Sequence, residues 1–246
     1  MLSKKLDINK NEIINIFNST SDLILHEFKT QKNIHVMVCY IEGFIDRSIL
    51  DRDIIKPIIS NLENSRDIKS VLFVSNMEKE MELENIAEKL NYGSVALFID
   101  GINYAYTINL NNWEKRSIEE PQAEAVVRGP KEGFIEDIST NKAMLRRRIR
   151  SSDLVFEDYI IGKQTKTKIS IAYLQGTVNE DVLNGVKNRI GKINIDGILE
   201  SGYIQQLIED NPESLVSTIA DTQKPDVVVG KILEGRVAVF CDGTPH

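Results

Sequence analysis

Two cysteines, one tryptophan, three histidines and six prolines in 246 residues leave little material for several kinds of chemistry. Cys39 and Cys241 each sit inside an apolar, strand-like run. That setting predicts buried free thiols in a reducing compartment rather than a disulfide, a metal pair or a nucleophile. His26, His35 and His246 stand on different segments, so the one-turn spacing of a zinc hydrolase is missing. Phosphate-binding strings are missing too. Gly129 to Gly133 is too short for a phosphate-cradling loop and carries Glu132, and neither Gly-x-Gly-x-x-Gly nor Gly-x-Ser-x-Gly occurs. Basic charge is in deficit, with 30 Lys and Arg against 37 Asp and Glu and a net charge of −7. Such a balance argues against a nucleic-acid partner, which needs a basic footprint. No run approaches the roughly 18 apolar residues of a membrane span, and the first residues lack the apolar stretch of a secretory signal. No enzyme activity, metal or cofactor is expected from these residues.

What is present is a 41% hydrophobic chain, enough to bury a core, patterned as alternating strands and helices. In the first half the pattern predicts a helix over 8–18, strands over 22–30 and 34–41, a helix over 46–60, a strand over 69–74, a helix over 77–90 and a strand over 94–100. Asp100-Gly101 then turns into a strand over 104–110. The second half predicts strands over 154–161 and 168–174, a helix over 179–190, a strand over 193–199, helices over 202–210 and 226–233, and a strand over 236–242. This grammar predicts an α/β protein of two tandem lobes, each with a mainly parallel mixed sheet flanked by helices. The expected boundaries are 1–112 for the first lobe, 113–135 for a linker or hinge, and 136–246 for the second lobe.

The halves also echo one another. Val38-Cys39-Tyr40-Ile41-Glu42-Gly43 matches Ile171-Ala172-Tyr173-Leu174-Gln175-Gly176, an offset of 133 (Tyr40 to Tyr173). Gly93 to Gly101 matches Gly235 to Gly243 at an offset of 142 (Gly93 to Gly235), each stretch ending in Asp-Gly. An internal repeat and convergence on common turn chemistry both fit this pattern. Tyr40 and Tyr173 end buried strands near glycines, where open α/β sheets often bind ligands. Together with Trp113 in the linker they are the candidates for a ligand cleft, the alternative being core and inter-lobe packing.

The chain is organised around residues 120–150. Arg128-Gly129-Pro130 and Gly133 are turn chemistry, and Glu136 and Asp137 open a helix that ends in Arg146, Arg147, Arg148 and Arg150. At about 100° per residue, Ile138, Leu145 and Ile149 share a stripe flanked by Met144, with Asp137, Asn141 and Arg148 on the packed side. Arg146, Arg147 and Arg150 project the other way. They are read as a solvated helix end paired with Glu119, Glu120, Glu124 or Glu132, or as a patch for lipid head groups, an acidic partner or a neighbouring protomer.

The string Glu120-Pro121, Glu124, Val126-Val127-Arg128-Gly129-Pro130, Glu132-Gly133-Phe134, Glu136-Asp137, Asn141 and Arg146-Arg147-Arg148-Ile149 resembles the hydrophilic N-terminal domain of the A subunit of GerA-type spore germination receptors. Pro225 to Gly230, Leu233 to Ala238 and Asp242-Gly243-Thr244-Pro245 are similar to that family's stretch before its first membrane helix. The resemblance covers nearly the whole chain, departing mildly at Lys131, Ser139 and Cys241. It implies a cytosolic domain of a nutrient receptor in the spore inner membrane, continuing into membrane helices after Pro245. It also implies permease-like B and lipoprotein C subunits, and other A subunits, as partners. Within it Glu124, Arg128, Gly129, Pro130, Gly133, Asp137, Asn141 and Arg148 would form a structural, inter-lobe motif. A small-molecule ligand is left open, and a stand-alone two-lobe binding protein for a small molecule or nucleotide is the alternative.

Overall fold

The computed structural model describes residues 1–64, 68–74, 76–110, 132–209 and 218–245. The chain divides into two compact units, Met1–Glu114 with Arg150–Asp153, and Lys115–Ile149 with Leu154–His246.

The first unit runs α1 (Leu6–Ile16), β1 (Leu23–Lys29), β2 (His35–Ile41) and α2 (Arg47–Ile49), which continues through a π-helical turn (Leu50–Ile55) into α3 (Lys56–Asn61). It goes on with α4 (Ile68–Val71), β3 (Met77–Glu80), α5 (Leu83–Asn91), β4 (Ser94–Ile99) and β5 (Ala105–Asn109). Its sheet has the order β1-β2-β4-β5-β3. Strand alternation sorts the buried side chains onto two faces. Val36, Val38, Tyr40, Val95 and Leu97 pack with Leu50, Ile54 and Ile58 from the helices after β2. Met37, Cys39, Ala96 and Phe98 are buried by the alternate positions, on the face where α1 and α5 lie.

The second unit runs α6 (Ile138–Arg148), β6 (Leu154–Ile161), β7 (Thr167–Leu174), α7 (Glu180–Lys192), α8 (Ser201–Ile208), α9 (Pro225–Leu233) and β8 (Ala238–Cys241). The sheet order is β6-β7-β8. Ile169, Ile171 and Tyr173 face Leu183, Ile190 and Ile204 of α7 and α8. Phe156, Ala172 and Phe240 face Leu145 of α6 and Ile232 of α9.

The mixed α/β character stands, but the mainly parallel sheet does not: every strand pairing among the described residues is antiparallel. One helix between two strands gives a parallel crossover, and the alternating pattern was counted that way. Here the connections from β2 to β4 and from β7 to β8 lay helices on both faces, and the second crossing of the sheet reverses the chain. Three elements also differ. Residues 69–74 are not a strand, because Ile68, Val71 and Leu72 are the buried ones, at helical spacing. Residues 77–90 split into β3 and α5, since Met77 to Glu80 gains pairing along β5 that outweighs its helical propensity. Residues 193–199 form no strand; their carbonyls at Ile195 and Asp196 instead accept from Lys163 and Gln164 of the β6–β7 turn.

The echo between the halves extends into the backbone geometry. The pair Val36↔Ile99 of β2 and β4 becomes Ile169↔Cys241 of β7 and β8, and Cys39↔Ala96 becomes Ala172↔Ala238. α1 and α6 start and stop at matching residues, as do α5 and α9. Gly43, Gly93 and Gly101 have φ of 79°, 86° and 89°, and their counterparts Gly176, Gly235 and Gly243 have 80°, 87° and 84°. Convergence on turn chemistry does not account for shared strand register over this length, so the chain is an internal duplication.

Candidate functional site

The organising helix α6 is anchored at its start by side chains that satisfy orphan backbone groups. Asp137 is its N-cap, accepting from the Thr140 amide at 2.9 Å. Asn141, 1% exposed, accepts from the Ile135 amide at 2.9 Å and donates to the Ile135 carbonyl at 2.6 Å. Asp242 accepts from the Ile138 amide at 3.3 Å, and the Gly243 amide donates to the Glu136 carbonyl at 2.8 Å. All but the Asp137 cap recur in the first unit, where α1 starts after Lys5 with no side-chain cap. Asn9 clamps Ser3 in the same two-way manner, Asp100 accepts from Leu6, and Gly101 donates to Lys4. Gly133 is buried, and beside it the Phe134 amide donates to the Gln223 carbonyl at 2.9 Å while its ring meets Phe240 edge-on at 5.2 Å.

The basic end departs from the sequence reading fully at Arg146 and in part at Arg147, which is half-buried like Arg148. Arg146 is not part of a surface patch: it is fully buried, its guanidinium 5.4 Å from the Phe156 ring centre. Lys142, one turn earlier, is also fully buried, with its ammonium 5.6 Å from the same ring and bonded to Asp158. The helical wheel sets Arg146 apart from the apolar stripe, whereas β6 supplies an aromatic face and a carboxylate that receive Arg146 and Lys142. Asp158 also meets Lys168 at 3.0 Å. Burial pushes its carboxyl up, but the Lys142 bond and charge outweigh that and hold it below the usual aspartate range. Arg148 is half-buried, donating to Glu132 at 2.5 Å and to the Met144 carbonyl at 3.0 Å. Arg147 is half-buried, and Arg150 is exposed, 4.6 Å from the Tyr92 ring centre in the first unit.

The two tyrosines occupy equivalent core positions in different units. Tyr40 is 6% exposed inside the first core, and burial raises its hydroxyl pKa. The Tyr173 hydroxyl donates at 2.6 Å to Glu157, which also accepts from Lys187 at 2.5 Å. Trp113, Glu124, Arg128, Gly129 and Pro130 lie outside the described residues. Among the described residues no group of three or more His, Cys, Asp or Glu is placed to hold a metal ion.

One concavity was not read from the sequence. It is a groove of about 700 Å³ in the second unit, between Val182, Val186 and Ile204 of α7 and α8 on one side and Val227 of α9 on the other. The β8 strand lines it, and residues 218–222 stand along it. The available signal was the repeat itself, because β8 matches β4, yet β4 lies inside its sheet and β8 at an edge.

Residues 11–246 match the family model described as Bacillus/Clostridium GerA spore germination protein. The chain belongs to the GerA family. Spore germination protein KA of Bacillus subtilis is 37% identical to it over 99% of this chain and 46% of its own length. Spore germination protein GerLA of Bacillus cereus is 30% identical over 95% of this chain and 49% of its length. The GerA-family chain thus spans about half the length of these curated relatives. The crystal structure of the N-terminal domain of the A subunit of the Bacillus megaterium spore germinant receptor GerK3 is similar, with a TM-score of 0.77 and 31% identity. That likeness covers 99% of this chain and 93% of the other. No helix among the described residues is long and apolar enough to cross a membrane.

Proposed function

We propose that this GerA-family chain is the N-terminal domain of the A subunit of a nutrient germinant receptor. The observation that carries the reading is the near end-to-end likeness to the corresponding domain of GerK3, in fold and in sequence. In this role the domain is a receptor component and not an enzyme. It faces the cytosol from the spore inner membrane, and its partners are a permease-like B subunit, a lipoprotein C subunit and other A subunits. Its task is to pass a change of state to the membrane part when nutrient is sensed. A two-state element biased by ligand or partner contacts is the physical requirement for that. The residues fixing α6, Asp137, Asn141 and Arg148, would hold the domain in one arrangement, and Arg147 and Arg150 remain the candidates for partner contacts. A stand-alone binding protein is disfavoured by matches to spore germination proteins along the whole chain.

Spores of the parent bacterium lacking the gene should lose their response to at least one class of nutrient, among amino acids, sugars and nucleosides. They should still germinate with a non-nutrient trigger, and the intact gene should restore the lost response. Unchanged germination with every nutrient class would refute the proposal.

A further inference from the structure

Among the described residues the repeat leaves β5 without any counterpart and matches β3 to a stretch that is not a strand. In the first unit β4 is paired on both sides, with β2 along Ala96 to Ile99 and with β5 along Ser94 to Phe98. In the second unit β8 keeps the inner pairing at the matching residues, Ala238 to Cys241 with β7. Its outer edge has no strand among the described residues. The length of β8 fits this: Ser94 and Val95 belong to β4 through pairing with β5 alone, and their counterparts Arg236 and Val237 are not strand.

The vacant position has the shape of a strand slot. In the first unit β3 lies beyond β5 and closes the sheet. Its counterpart is the stretch 219–222, since the Met81 carbonyl accepts from Leu2 as the Gln223 carbonyl accepts from Phe134. Both this stretch and β8 line the groove of about 700 Å³. The polar groups of the edge point into it. The Asp242 amide donates to the Lys168 carbonyl, so by antiparallel alternation Phe240 and Ala238 bond β7 while Val237, Val239 and Cys241 turn their amides outward. Walls from α7 and α8 on one face and α9 on the other are mainly apolar, with Asp181, Arg189 and Lys231 also lining the groove, which suits a strand covered on both sides.

We propose that this slot accepts one strand of extended polypeptide, antiparallel to β8, and that the strand is the stretch of chain following the Asp242-Gly243 turn. In the first unit the equivalent Asp100-Gly101 turn leads directly into β5. In a protein of the length of the curated relatives, the residues beyond position 246 stand where β5 stands. The chemistry that fits is a run of four or five apolar, β-branched-rich residues, as in the buried stretch Ala105 to Ile108. Filling the slot would make the three-stranded sheet four-stranded, pairing of 219–222 with the new strand would complete the five-stranded order of the first unit, and the stretch that follows position 246 would be tied to the core of the second unit. The inference rests on the repeat and does not depend on the receptor role.

The test is amide hydrogen exchange on two proteins, the 246-residue chain and the same chain extended by the next fifteen residues of its reading frame. Exchange at Val237, Val239 and Cys241 should slow by at least about 10-fold in the longer protein. The amides of Val95, Leu97 and Ile99 in β4 should be protected in both, which reports that each protein is folded. Val239→Pro in the longer protein removes one outward amide without touching the β7 ladder, and should return Val237 and Cys241 to fast exchange. Unchanged exchange on extension, a reading frame that stops at 246, or protection in the shorter chain accompanied by dimerisation in sedimentation would each overturn the proposal.

Discussion

Two buried cations on one helix face a single aromatic ring, and their neighbours decide what that costs. Lys142 has no exposed side-chain surface, and its partner Asp158 retains some contact with solvent. Removing one member of a buried pair strands the other, so Lys142→Met should destabilise the protein by about 3 kcal/mol. The loss should depend on pH in a set direction. Asp158 is held below its ordinary range in the folded state, so its contribution is present above about pH 4, the unfolded aspartate range, and is lost as pH falls through the lower folded value. The gap between native and variant stabilities should therefore narrow from about pH 5 toward about pH 2. Denaturant midpoints across that range check it, and a gap that stays constant would show that Lys142 acts through packing alone. Neither Lys142 nor Arg146 was legible as a buried residue, because hydropathy scores the charged tip and ignores a stem lying on Phe156. Glu136 and Asp137 were legible as a helix start, since acids suit its positive end, but Asp137 was read onto the packed side and is an exposed N-cap.

At the scale of elements, turns were read well and sheet direction was not. The glycines after buried strands were visible as turn residues, and each does adopt a positive φ. What surrounds them was not visible, and it separates two positions of like conformation. An added Cβ at Gly176 meets nothing within 4 Å, whereas at Gly235 it would stand 2.6 Å from the Thr177 carbonyl oxygen. Gly176→Ala should thus cost only its left-handed backbone strain, about 1 kcal/mol. Gly235→Ala adds a backbone collision and should cost at least about twice as much. Equilibrium unfolding of the two variants decides this; equal losses would mean that the loop at Thr177 yields freely. Strand positions were largely right at β1, β2, β4, β6 and β7, and the continuous apolar runs of β2 and β4 are indeed covered on both faces. The runs at 69–74 and 193–199 misled because a short apolar stretch is compatible with helix, strand or loop until its neighbours choose.

For the molecule as a whole, the duplication makes each half an experiment on the other. Asn9 and Asn141 each close both backbone groups of a residue six positions earlier, and both are buried. The sequence holds this pair in plain sight, yet two asparagines among many carry no signal until the bonds are seen. Alanine at either position leaves a partly buried amide and carbonyl without their partner, a loss of about 1 to 3 kcal/mol. Each unit also carries its own reporter, since Cys39 lies in β2 and Cys241 in β8, both buried with no disulfide. Burial raises both thiol pKa values, so a bulky thiol reagent can react only after local or unit-wide opening. If each unit opens on its own core, Asn9→Ala should speed labelling of Cys39 by about 5- to 100-fold and leave Cys241 unchanged, and Asn141→Ala should do the reverse. Mass spectrometry of the two labelled peptides over time gives both rates from one sample. Parallel acceleration of both cysteines by either substitution would mean that the duplicated units open as a single cooperative body.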